Sequence, residues 1–98
     1  MTINKAQNGN ALTITLEGRL DTVTAPELEQ DLKQSLKGIE NLTFDFSKVE
    51  YISSAGLRVL LFAQKVMRGQ GRMKITHANE IVMEGFEVTG FADVLTIE

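Results

Sequence analysis

The chain has 98 residues, 43% of them hydrophobic, one histidine, no cysteine and a formal net charge of −3. That is enough chain for one domain with its own core. It excludes a disulfide framework, a thiol nucleophile and a metal site built on cysteine or several histidines, and an acidic balance without a basic run argues against general nucleic-acid binding.

Met1 to Ala6 lacks the apolar core of a secretory signal, and no stretch is long enough to span a bilayer. A soluble, cytoplasmic protein that does not insert into a membrane is the expectation. Thr2 to Ala6 reads as a short edge strand, and the Asn8-Gly9 pair after it signals a tight hairpin turn. Leu12, Ile14 and Leu16 alternate with Thr13, Thr15 and Glu17, which predicts a strand with one buried face. Gly18-Arg19-Leu20-Asp21 leaves that strand, and Asp21 is expected to make a local turn bond.

Thr24-Ala25-Pro26-Glu27 has the form of a capping box, with Pro26 in the first turn, where no helical N–H is lost. Leu28, Leu32 and Leu36 then recur every four residues up to Gly38, the pattern of a helix with a narrow apolar stripe. Glu29, Gln30, Lys33, Gln34 and Lys37 form its solvated face.

Leu42 to Phe46 alternates again and predicts a second buried-face strand. The stretch Tyr51-Ile52-Ser53-Ser54-Ala55-Gly56-Leu57 then joins extended chain to a helix that nothing interrupts until Gly69-Gln70-Gly71. A serine at such a joint lies beside unpaired N–H groups and the positive end of the helix dipole. It can cap the helix, or it can present a phosphate where an anion is well received. At about 100° per residue, Val59, Leu60, Phe62, Ala63, Val66 and Met67 share one broad core face. Leu57 and Leu61 are expected on the opposite side among Arg58, Gln64, Lys65 and Arg68. There they form either an exposed contact patch or a surface covered by a neighbouring loop.

Met73, Ile75 and His77 alternate with Lys74 and Thr76 and predict a further strand. Asn79 caps a third helix carrying Ile81, Val82, Phe86 and Val88. Gly85 within it costs about 1 kcal/mol relative to alanine and points to a short or irregular helix ending at Gly90. Phe91-Ala92-Asp93 is a turn, and Val94 to Ile97 is expected as a last strand. The resulting order, hairpin, helix, strand, helix, strand, helix, strand, implies an α/β fold over residues 1–98. It has a mixed sheet: an N-terminal hairpin, then βαβ units with right-handed crossovers and helices packed against the sheet. The carboxyl ends of its strands, where the serine joint falls, are where ligands and partners collect in such folds.

Enzyme chemistry is poorly supplied. His77 is the one imidazole and sits at the end of a different strand, and Ser-Ser-Ala-Gly lacks the first glycine of a nucleophile elbow. Neither glycine-rich phosphate loop is present. Asp21 and Asp45, two acids from separate loops, are weak grounds for a cation site, and the methionines are core filler. No cofactor or metal is called for.

The run Asp45-Phe46-Ser47-Lys48-Val49-Glu50-Tyr51-Ile52-Ser53-Ser54-Ala55-Gly56-Leu57 resembles the signature of STAS domains, the fold of anti-sigma factor antagonists. Gly18-Arg19-Leu20-Asp21 resembles the family's motif before its first helix, and Thr89-Gly90-Phe91 its late stop. The resemblance implies a non-enzymatic regulator that binds an anti-sigma factor, itself a serine kinase, and so frees a sigma factor. Phosphorylation of the turn serine switches binding off, and a phosphatase resets it. By motif position the phosphorylated residue is Ser54, with Ser53 as second choice. Leu57, Arg58 and Leu61 are implied as partner contacts, and Asp21 is expected beside the serine loop. The chain departs from the family pattern at Ser53, Ala55 and Arg58. The alternative within the family is a non-switching accessory subunit that docks a transporter or other partner, with Ser54 only capping the helix.

Overall fold

The structure, a computed structural model, describes residues 1–98. The hairpin is β1 (Thr2–Asn8) and β2 (Ala11–Leu20), joined at Gly9-Asn10. Gly9 holds φ +64°, a left-handed conformation that a tight two-residue turn requires and glycine adopts without strain. Helix α1 (Ala25–Ser35), strand β3 (Asn41–Ile52), helix α2 (Ser54–Arg68), strand β4 (Arg72–Thr76) and helix α3 (Glu80–Thr89) follow, with a 3-10 turn at Phe91–Asp93. The sheet order is β1-β2-β3-β4, with β1 antiparallel to β2 and the remaining pairs parallel. This is the mixed α/β sheet the element order implied.

One face of the sheet is apolar because the alternation placed it there. Leu12, Ile14 and Leu16 of β2, Leu42, Phe44 and Phe46 of β3, and Met73 and Ile75 of β4 are all buried. They join Leu28 and Leu32 of α1, Leu60, Ala63 and Met67 of α2, and Val82 and Phe86 of α3 in one core cluster of 24 residues. The Phe46 ring bridges Phe44 and Phe86, with centroids 6.3 Å away in each case. Burying side chains of this size contributes roughly 1.5–3 kcal/mol each. The other face carries Thr13, Thr15, Glu17, Thr43 and Asp45, half-buried or exposed. At the hairpin edge Lys5 closes the packed layer with an ion pair to Asp31 at 2.9 Å.

Several expectations need correction. β3 does not stop at Phe46 but runs on to Ile52. Register shifts against β2 between Thr15 and Glu17 and between Gly18 and Arg19 break the two-residue period, so Phe46, Val49 and Ile52 all reach the core at three-residue spacing. The capping box at Thr24 is not formed. The Thr24 hydroxyl instead donates to the Arg19 carbonyl at 2.7 Å and accepts from the Asp21 N–H at 2.9 Å, so the threonine closes the turn before the helix.

α3 is short, as expected: ten residues capped by Asn79 and ended at Gly90, the shortest of the three helices, and it stays regular through Gly85. Ile81 and Val88 lie on its outer side, 62% and 80% exposed. Val94 to Ile97 is not a strand: it makes a single parallel bridge, Ile75 to Ile97. The 3-10 turn and the inward Leu95 bring only the last residues to β4. There the Ile75 N–H donates to the Thr96 carbonyl and the Glu98 N–H to the Ile75 carbonyl, both at 2.9 Å.

Candidate functional site

β2 and β3 are parallel neighbours, so their carboxyl ends lie side by side, with Leu20 opposite Ile52. The Ser53 N–H extends the ladder by one bond, donating to the Leu20 carbonyl at 2.9 Å. Asp21 and Ser53 are therefore the first residues to leave two adjacent strands at the same end of the sheet. Asp21 stands beside the serine loop for that reason.

The two serines have different jobs. Ser53 is extended, at φ −98° and ψ 175°, and its hydroxyl accepts from the Gly56 N–H at 3.4 Å. It caps α2. Ser54 is the first residue of the helix and is exposed, and its hydroxyl makes no hydrogen bond within the molecule. One turn on, Arg58 is exposed, with its Nε donating to the Ser54 carbonyl at 3.5 Å. The free hydroxyl thus sits at a helix N-terminus with a guanidinium close by. That is a favourable setting for an added anion.

Around the serines the surface is mixed. Thr22, Ala25, Pro26 and Glu29 of the α1 entry and Ala55, Arg58 and Val59 of α2 line a shallow depression between the two helix starts. The Asp21 carboxylate accepts from the N–H groups of Val23 at 3.0 Å and Thr24 at 3.1 Å. The Thr24 bond, then that of Val23, holds the Asp21 carboxyl below the usual carboxylate range. This turn thrusts Val23 outward, 84% exposed. Arg19 spans the adjacent surface, 4.4 Å over the Tyr51 ring and 3.7 Å from Asp21 Oδ2. Nothing in the hydropathy pattern singles out Val23, Arg19 or Tyr51, since their grouping follows from strand register and from the Asp21 turn.

Leu57 is a correction. It is 5% exposed and belongs to the core, so it offers no contact surface. The N-terminus of α2 is pinned so closely to the end of β2 that its first inward turn takes Leu57 with it. Leu61 is half-buried, and Arg58 is the exposed member of the three.

The groups weighed for catalysis are scattered. His77 is exposed at the end of β4, with Nδ1 3.4 Å from Asp45 Oδ1. Asp45 accepts from the Ser47 N–H at 2.9 Å, and this bond first of all lowers its pKa. Asp45 stands opposite Thr15. Asp21 lies six residues along the chain from that position, roughly 15–20 Å at the usual rise, so the two aspartates do not share a site. A larger depression of about 530 Å³, lined by Asn41, Gln64, Arg72, Lys74 and Glu98 among others, opens at the opposite end of β3 from the serines.

BtrV of Bordetella bronchiseptica, named as a candidate anti-sigma factor antagonist, is 34% identical over 88 residues, covering 88% of this chain and 76% of that protein. The anti-sigma-B factor antagonist of Listeria monocytogenes is 30% identical over 97 residues, covering 96% and 84%. Among solved structures, an anti-sigma factor antagonist from Mycobacterium paratuberculosis superposes with a TM-score of 0.88 at 22% identity, over 98% of this chain and 83% of that one. SpoIIAA has been solved unphosphorylated and phosphorylated, with TM-scores of 0.78 and 0.76, both at 13% identity and over 99% of this chain; the match covers 87% and 91% of those chains. Those structures share the fold. The STAS domain model matches residues 2–98, and with relatives at this identity the chain belongs to the STAS domain family.

Proposed function

We propose that this protein is an anti-sigma factor antagonist whose binding is switched by phosphorylation of Ser54. It binds an anti-sigma factor that is also a serine kinase, releases a sigma factor, and acts by binding rather than by catalysis. The observation that carries this reading is the division of labour at the joint. Ser53 caps the helix, which leaves Ser54 exposed, unbonded and not needed as a cap. That division speaks against a reading in which Ser54 serves only as a cap. The names of the BtrV and Listeria relatives and the phosphorylated form of SpoIIAA support the same direction.

The switch needs no refolding. A phosphate adds about −1.5 to −2 charges, and within this chain the α2 N-terminus and Arg58 compensate it. Against a partner pressed onto the depression between α1 and α2 the same charge must be desolvated or meets acidic groups. A loss of about 3 kcal/mol weakens binding more than a hundredfold. Arg58, Leu61 and Asp21 are the proposed contacts, and a phosphatase is the proposed reset.

Intact-mass and phosphopeptide analysis of the protein from its own cells, through growth and stress, tests the reading. A phosphate that varies with conditions and vanishes in Ser54→Ala supports it. A stable partner with no phosphate under any condition would leave the protein a constitutive docking module.

A further inference from the structure

Helix α3 has an outer face that neither the core nor the serine joint uses. Val82 and Phe86 turn inward and are fully buried. On the opposite side Ile81 and Val88 lie about two turns apart, 62% and 80% exposed. At roughly 100° per residue, Glu80, Glu84 and Glu87 form a row along this pair, all three exposed. The ion pairs of the molecule all lie elsewhere.

The helix does not account for this row by its own stability. Glu80 in the first turn is favoured by the dipole, but Glu87 lies towards the end that prefers cations, and the last turn holds no basic residue. The spacings from Glu80 to Glu84 and from Glu84 to Glu87 set like charges against each other. Nor does the core account for Ile81 and Val88.

We propose that the outer face of α3 docks a cationic, amphipathic segment of another protein. Its apolar side chains seat on Ile81 and Val88, and its lysines or arginines pair with the glutamate row. Charge selects this occupant. A second copy would set two rows of glutamates against each other between chains that each carry a net −3, and an anionic lipid surface would be repelled by the same row. A cationic segment relieves the repulsion while covering the apolar pair. No hydrogen bond or ion pair joins this row to Ser53, Ser54 or Arg58, and occupancy of the face is expected not to depend on the state of Ser54.

The test places a photo-crosslinking benzoylphenylalanine at Val88 of the full chain in its own cells and identifies the crosslinked peptides by mass spectrometry. The expected adduct is a segment of another protein with lysine or arginine flanking apolar residues. Its yield falls at least tenfold in Glu84→Lys/Glu87→Lys and is unchanged in Ser54→Asp. Circular dichroism checks that the charge-reversed helix stays folded. Adducts to a second copy, to lipid or to a segment without cationic residues overturn the proposal, as does no adduct or a yield insensitive to charge reversal. An adduct lost in Ser54→Asp assigns the face to the partner of the serine joint and overturns the separate site.

Discussion

The Cβ that Gly56 lacks would lie 2.7 Å from Leu20 Cγ and 2.9 Å from the Leu20 carbonyl oxygen. The same carbonyl accepts the Ser53 N–H. One residue at the end of β2 thus fixes both the exit of β3 and the approach of α2, which is how the serines are held at a defined place on the sheet's edge. A side chain at position 56 has nowhere to go, since Ile52 Cγ1 also stands at 2.9 Å.

Gly56→Ala is therefore expected to destabilise the fold by about 1–3 kcal/mol through overpacking. Gly85→Ala is the contrast. Its added methyl meets Ile52 Cγ2 at 3.6 Å, an ordinary contact, and removing a glycine from a helix interior gains up to about 1 kcal/mol. Urea midpoints that move in opposite directions at constant slope are the expected result. A destabilised Gly85→Ala would mean that α3 packs more tightly on β3 than described.

The two serines separate in the same measurement. Ser53→Ala loses the cap and about 1 kcal/mol, whereas Ser54→Ala stays within about 0.5 kcal/mol of the parent. Phosphate incorporation should show the reverse dependence, lost in Ser54→Ala and retained in Ser53→Ala.

Leu57→Ala should behave as a core truncation and cost about 2–5 kcal/mol. Arg58→Glu, at an exposed position, should leave stability within about 0.5 kcal/mol yet weaken partner binding. Thermal denaturation read beside a binding isotherm distinguishes them. A stable Leu57→Ala that fails to bind would restore Leu57 to the contact surface.

Asp21 links the site to pH. Its folded pKa is lowered, by the Thr24 and Val23 N–H groups ahead of Arg19. Its contribution is therefore present above the unfolded carboxylate value of about 3.9 and is lost as pH falls through the depressed folded value. Asp45 acts in the same direction through Ser47. Asn at position 21 still accepts both N–H bonds but does not titrate, so Asp21→Asn should make the acid limb of stability against pH shallower. Carboxyl carbon shifts followed by NMR from pH 6 downward check the direction for each group.

Much of this molecule is legible in its sequence. Alternation in Leu12 to Leu16 and Leu42 to Phe46, the leucine stripe of α1, and the Asn79 cap, whose side chain accepts the Val82 N–H at 2.8 Å, are local signals with local causes. The family motif likewise pointed to the joint, because strand, serine and glycine are consecutive in the chain.

What the tertiary structure decided were relations between residues far apart in sequence. A helical wheel turns Leu57 outward, yet it is buried because Gly56 lets α2 sit down on Leu20. Strand β3 departs from its alternation because it carries an extra residue against β2 at each of two register shifts. Asp21 leaves the sheet beside Ser53, and Arg19 covers Tyr51, only because parallel pairing sets Leu20 opposite Ile52. Periodicity reports which face of an element is apolar. How closely two elements approach, and in what register, is settled by packing between distant segments, and it was packing that buried Leu57 and left Ser54 free.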